Sequence, residues 1–203
     1  MQNQWDIRYA ASEYVYGTDP NDFLQSVVNR MPTGGKILCL AEGEGRNSVF
    51  LAKRQFCVTG VDSSAVGLEK AQQLAAKNDV SIETVVADLQ HFEIEPETWD
   101  GIVSIFCHLP EPLRSQVYRD SVKGLKLGGV FVMEAYTPRQ LQFKTGGPPI
   151  AELLYEPESL RENLNGLHFD IFHEIERDVQ EGHLHGGPSA VVQVFACKLN
   201  NHK

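Results

Sequence analysis

The chain has no two cysteines close enough to read as a metal or redox motif. Cys39, Cys57, Cys107 and Cys197 stand far apart, in apolar stretches with strand character. Thiols so placed read as reduced core residues, and a disulfide framework or C-x-x-C zinc site is excluded as the organising device. No apolar run approaches the roughly 18 residues that a membrane span needs. The opening MQNQWDIRYA also lacks the charged and apolar regions of a secretory signal. The expectation is a cytoplasmic protein without membrane contact. Basic residues are in short supply: 18 Lys and Arg stand against 27 Asp and Glu, a formal net charge of −9, with no Lys/Arg run to form a local patch. Such a chain repels phosphate backbones and anionic lipid surfaces, so nucleic acid is not an expected partner. Internal repeats and linkers are missing too. With 203 residues, 42% of them hydrophobic, the chain reads as one globular domain with a sizeable core.

What is present is alternation. After an opening rich in aromatics (Trp5, Tyr9, Tyr14, Tyr16), Asp19 is placed to cap a helix that begins at Pro20 and repeats Phe23, Leu24, Val27, Val28 and Met31 at helical spacing. Pro32, Gly34 and Gly35 end it. KILCLA then reads as a strand, EGEGRN as a glycine turn and SVFLAKRQ as a helix; FCVTGVD is a second strand, followed by a helix capped by Ser63 or Ser64 and stopped at Asn78. IETVVAD, WDGIVSIF and VFVMEAY supply three more strands, with a helix over about 112–124 between the last two. Strands that alternate with helices imply crossovers and a parallel sheet, and near-continuous apolar strands imply helices on both faces. Residues 138–165, rich in Pro, Gly and Glu, read as irregular, while FDIFHEIERDV and SAVVQVFACKL, joined by QEGHLHGGP, read as a hairpin that completes the sheet antiparallel.

In an open parallel sheet ligands bind beyond the carboxyl ends of the strands. Here those ends carry Ala41–Asn47, Asp62 and Ser63, Asp88 and Leu89, Phe106–Leu109 and Glu134–Thr137. Small residues in Glu42-Gly43-Glu44-Gly45 let backbone approach a ligand. Asp62 follows at about the 20-residue offset at which an acid reaches a ribose diol. The third glycine of a dinucleotide fingerprint is missing, and Glu42 and Glu44 would repel a pyrophosphate but attract a cation. S-adenosylmethionine, a nucleoside with a sulfonium and an ammonium and no phosphate, suits that turn better.

These motifs together resemble the class I S-adenosylmethionine-dependent methyltransferases over roughly residues 36–135. ILCLAEGEGRN is similar to that family's glycine-rich motif, GVDSS to its ribose-binding acid, VVADL to its adenine-binding segment, WDGIVS to its fourth strand and LKLGGVF to the turn into its fifth. The resemblance implies a Rossmann-like, doubly wound α/β sheet of about seven strands, mostly parallel with an antiparallel C-terminal strand. It divides the expected single domain into an N-terminal cap and helix (1–35), a cofactor-binding core (36–135) and an acceptor-side loop with a hairpin (136–203). It also implies cofactor contacts at Ala41, Glu42, Gly43, Glu44, Gly45 and Arg46, ribose contacts at Asp62 and Ser63, adenine contacts at Asp88 and Leu89, and a pocket wall at Phe106. Cys39 stands where the family has an acid and Ala41 where its first glycine falls, which leaves Glu42 or Glu44 to meet the ammonium. A looser likeness of WDIRYAASEYVYGTDPNDFL and EGRN is to the small tellurite-resistance and thiopurine methyltransferases. It implies a chalcogen oxyanion, a thiol or another small soluble acceptor, a monomer or homodimer, and either a lid or plain packing for Trp5, Tyr14 and Tyr16.

A neutral acceptor needs its proton removed, and His108 and Tyr136, just past the fourth and fifth strands, are the candidates. His183 and His185 beside Glu181 read as hairpin residues rather than as metal ligands, although one can enter the acceptor pocket; no metal is expected. Arg139 and Lys144 give the loop after the fifth strand a charge suited to an anion. A non-catalytic S-adenosylmethionine or S-adenosylhomocysteine binding protein is the alternative reading, and a nicotinamide-dependent oxidoreductase a third.

Overall fold

The computed structural model describes residues 3–182 and 184–199. In chain order its elements are α1 (Gln4–Tyr9), α2 (Asp22–Val27), β1 (Lys36–Leu40), α3 (Arg46–Ala52), β2 (Cys57–Asp62), α4 (Ala65–Lys77), β3 (Glu83–Val86), β4 (Trp99–Ile105), α5 (Leu113–Gly124), β5 (Leu125–Tyr136), α6 (Pro157–Asn163), β6 (His168–Glu181) and β7 (His185–Cys197). The strands form one sheet in the order β3-β2-β1-β4-β5-β7-β6. β1 to β5 pair in parallel, and β7 inserts antiparallel between β5 and β6. The mostly parallel, doubly wound expectation therefore holds, with β7 inside the sheet and β6 at its edge.

Alternation along the strands divides the core between two faces. Leu38, Leu40, Ile102, Phe131 and Met133 pack with Val117 and Tyr118 of α5 and Leu160 of α6. Ile37, Cys39, Val103, Ile105, Val130 and Val132 pack with Phe23, Leu24 and Val27 of α2 and Phe50 and Leu51 of α3. Each such side chain, fully buried, contributes about 1.5–3 kcal/mol relative to exposure.

Several details differ from the expectation. The cap of α2 is Asn21, whose Oδ1 accepts from Leu24 N at 3.0 Å; Asp19 lies outside the helix. The helix passes into a 3-10 turn at Val28–Arg30. Of the two serines proposed to cap α4, Ser64 does so, accepting from Gly67 N, and Asn78 is the C-cap. β3 is an edge strand, so Val86 is 59% exposed rather than covered on both faces. Cys39 and Cys107 are buried free thiols, but Cys57, the first residue of β2, is exposed. The opening contains α1, and the irregular stretch after β5 contains α6. No described helix is long and apolar enough to cross a membrane.

Candidate functional site

The carboxyl ends of β1, β2, β4 and β5 meet along one edge, and the turn after β1 crosses it. Gly43 and Gly45 have φ of +62° and +91°, conformations that favour glycine. Gly45 is also required by packing: a Cβ there would lie 2.6 Å from Ala71 Cα, so it lets α3 start against α4. Ala41 adopts φ +49°, and Phe106 at the end of β4 adopts φ +50°. Strained backbone of this kind concentrates at functional sites.

Gly43 N donates to Asp62 Oδ2 at 2.9 Å and Ser64 N to Oδ1 at 2.8 Å, which locks the turn to the end of β2. Burial raises the Asp62 carboxyl, and the two N–H groups oppose that rise. Ser63 is tied through its carbonyl to Asn3 Nδ2. Asp88 is exposed and accepts from Gln90 N, while Leu89 is buried in the core.

The two acids of the turn do not project toward a ligand. Glu42 is buried, accepts from Ser48 N at 2.8 Å and is pushed up to about 7, chiefly by desolvation. Glu44 pairs with Lys70 and accepts from Val15 N at 2.8 Å. Both oxygens of Glu44 are thus taken up by Lys70 and Val15, while Glu42 is tied to Ser48 N through one oxygen. Arg46 is buried, with Nη2 2.6 Å from Glu181 Oε2.

Residues before α2 lie over this turn. Tyr9 is buried, and its ring fills a niche between two glycines: a Cβ on Gly43 would lie 2.7 Å from Tyr9 Oη, and one on Gly67 2.8 Å from Tyr9 Cδ2. Trp5 stacks on Tyr9, the Tyr14 hydroxyl donates to Lys70 O, and Tyr16 packs against His185.

On the acceptor side Phe106 is the centre of an aromatic group. Its ring centroid lies 4.6 Å from that of Tyr136, 4.9 Å from His185 and 6.4 Å from His108. His108 Nδ1 is 2.8 Å from the Leu153 carbonyl, an acceptor only, so Nδ1 carries the proton and Nε2 the lone pair. That Nε2 is shut off from solvent without a partner, and burial lowers the imidazole to about 4. His108 is thus neutral and weakly basic. Burial pushes the Tyr136 phenol well above its ordinary range, and its hydroxyl has no partner within hydrogen-bonding geometry. Tyr136 thus offers a protonated, unpartnered hydroxyl beside Phe106.

His185, absent from the expected catalytic pair, completes the group, with Nδ1 3.6 Å from Glu181 Oε2. Glu181 is held down to about 2 despite its burial, by the Arg46 guanidinium and by hydrogen bonds that include Asn21. His183 lies outside the described residues. Behind His185 sits a buried network. Glu134 accepts from Asn21 Nδ2 at 3.0 Å, from Arg177 and from Gln193, and Asn21 Nδ2 also reaches Glu181 at 2.8 Å. The expected anion-attracting charge of Arg139 is absorbed by Glu174 and Glu176 on β6, and Lys144 is exposed.

The donor set fits a nucleoside without phosphate. Lys70 and Arg46, the cations nearest the turn, are neutralised by Glu44 and Glu181, so a pyrophosphate finds no counter-charge. Each Asp62 oxygen has acceptor capacity beyond its one main-chain N–H, which suits a diol.

Residues 37–129 match the family model described as a methyltransferase domain. An uncharacterized methyltransferase, YbaJ of Bacillus subtilis, is 26% identical over 145 residues, which cover 71% of this chain and 53% of that protein. The chain thus spans about half the length of that curated relative. Among solved structures, one described for the conversion of a disulfide bond into a thioacetal group during echinomycin biosynthesis is similar with a TM-score of 0.76 at 16% identity, covering 98% of this chain and 92% of that one. TehB from Haemophilus influenzae follows with a TM-score of 0.71 at 18% identity, covering 96% of this chain and 65% of that one. These likenesses establish the fold.

Proposed function

We propose that the chain, whose residues 37–129 match a methyltransferase domain, transfers the methyl group of S-adenosylmethionine to a small soluble acceptor, of which a thiol suits the site best. The observation that carries this reading is the Gly43–Asp62 hydrogen bond, which joins a glycine turn whose neighbouring cations, Lys70 and Arg46, are already paired to an acid suited to a diol. Asp62 would hold the ribose hydroxyls, Asp88 and Leu89 the adenine, and the backbone of Gly43 the methionine end. Ala41, Glu42, Glu44, Gly45, Arg46 and Ser63 form or brace that surface, and Phe106 walls it toward the acceptor. When bound, S-adenosylmethionine supplies an activated methyl group and its own leaving group.

The protein contributes orientation and exclusion of water. Four arginines near the aromatic group are paired with acids: Arg46 with Glu181, Arg177 with Glu134, Arg114 with Glu111 and Arg139 with Glu176. Arg8 is engaged by the Tyr16 hydroxyl and the Trp5 ring, and the aromatic and imidazole lining of the group favours a thiol over a chalcogen oxyanion. His185 is placed to accept the thiol proton, with its Nδ1 3.6 Å from Glu181 Oε2, whereas His108 Nδ1 faces only a carbonyl. His108 Nε2 and Tyr136 Oη orient the acceptor.

Titration calorimetry with S-adenosylmethionine and S-adenosylhomocysteine tests the cofactor. The wild type binds both, and Asp62→Ala weakens binding by about 10- to 100-fold, the equivalent of charge-assisted hydrogen bonds of about 1.5–3 kcal/mol. No heat and no thermal shift with either would remove the enzyme reading. Transfer of labelled methyl to thiols, slowed in His185→Asn at unchanged cofactor affinity, tests the acceptor. Transfer to tellurite or selenite alone overturns the thiol assignment, and binding without any methylated product leaves a non-catalytic binding protein.

A further inference from the structure

Lys70 on α4 is a cation held out of water, and no step proposed above uses it. Its ammonium donates to the Glu13 carbonyl at 2.7 Å, to the Ala11 carbonyl at 2.9 Å and to the Tyr9 carbonyl at 3.4 Å, and it pairs with the Glu44 carboxylate. Its own carbonyl accepts from the Tyr14 hydroxyl, and its Nζ lies 4.9 Å from the centre of that ring. The other oxygen of Glu44 takes Val15 N. The Lys70–Glu44 pair therefore grips both ends of residues 9–15, the last residue of α1 and the irregular stretch after it, and binds them to the turn after β1. The first turn of α1 is fastened separately, by Asn3 to Ser63 O and by Asp6 to Ser64 Oγ.

Two further observations give the grip a consequence. Tyr9, at one end of the stretch, occupies the ground over Gly43, the backbone that a ligand of the turn must approach. A buried ammonium gives up its hydration. Its neighbours on the inner face of α4, Leu68, Ala71, Leu74 and Ala75, show that an apolar side chain suits this surface. An apolar residue at 70 would hold the strap by packing alone. An ammonium holds it through bonds that water can replace when the strap lifts.

We propose that Lys70 is a positioning residue for the cofactor: with Glu44 it clasps residues 9–15 over the cofactor turn, and the opening and closing of that clasp govern nucleoside entry and release. The ligand rests on the methyltransferase reading; the clasp does not.

Lys70→Met keeps most of the stem and removes the charge, and Lys70→Arg keeps the charge. Amide hydrogen exchange on the ligand-free protein is expected to show residues 9–17 exchanging at least tenfold faster in Lys70→Met, with β1, β4 and β5 unchanged and Lys70→Arg close to wild type. In stopped-flow displacement, S-adenosylhomocysteine leaves Lys70→Met about tenfold faster than wild type, and Lys70→Arg restores most of the difference. Unchanged exchange at residues 9–17, acceleration spread evenly over the core, or an unchanged off-rate each overturns the proposal. Should Lys70→Met not fold, Glu44→Gln carries the same test, with a smaller shift in the same direction. A wild type that binds neither nucleoside ends the cofactor reading, and exchange at residues 9–17 still decides the clasp.

Discussion

On the β1–β2 side of the carboxyl edge the polar groups that shape the site are mostly main-chain N–H groups of the two turns that follow β1 and β2, gathered by Asp62 and Glu42. On the β5–β7 side they are side chains from three separated stretches: Asn21, Glu134, and Arg177, Glu181, His185 and Gln193 of the hairpin. The first arrangement positions a ligand with backbone and tolerates little change of shape. The second stores charge, and its members depend on one another. A cofactor common to many enzymes suits the first. The second, assembled from side chains, can be altered without disturbing the glycine turn, as acceptor specificity requires.

Substitution at the centre of the side-chain network should have the largest effect. Glu134→Ala removes a fully buried carboxylate and takes from Arg177 and Gln193 their shared buried partner, so urea denaturation should show a loss of about 3–5 kcal/mol, the range for breaking a buried ion pair. A loss below about 1 kcal/mol would mean that the network is not coupled. The two sides should also answer pH with opposite signs. Glu42 is raised to about 7 in the folded protein, so between its unfolded value near 4.5 and 7 the native state binds the extra proton and this group's contribution falls as pH rises. Glu181 is lowered to about 2, so its contribution is present above 4.5 and is lost as pH falls toward 2. Glu42→Gln should flatten the first slope and Glu181→Gln the second in stability profiles; the same slope removed by both would end the distinction. The smallest effect should be at Ser64, where Ser64→Ala removes the α4 cap and costs about 1 kcal/mol, visible as a lowered thermal midpoint.

Much of the sheet was legible because β1, β2, β4 and β5 are apolar runs punctuated by glycine and acid. α1 and α6 were not, since helices of six and seven residues complete fewer than two turns and leave almost no periodicity. Asp19 and Asn21 are equivalent as caps by residue type; Asn21 serves because its amide also bridges Glu134 and Glu181, partners more than a hundred positions away. Gly43 and Asp62 were found by spacing. Glu134 and Arg177 carried no such signal, although an acid at the end of an otherwise apolar strand and an arginine facing it across a hairpin are the trace they leave.

The amino-acid sequence by itself determined the alternation of strand and helix, the glycine turn and the acid at the end of β2, because each depends on residues near one another along the chain. Only the tertiary structure decided where the charges of Glu42, Glu44, Arg46 and Arg139 are spent, which face of His108 is bare, and that Tyr9 lies on Gly43. Those outcomes arise because β7 inserts between β5 and β6 and the first residues of the chain cross the carboxyl edge, and contacts between segments so distant depend on topology rather than on local pattern.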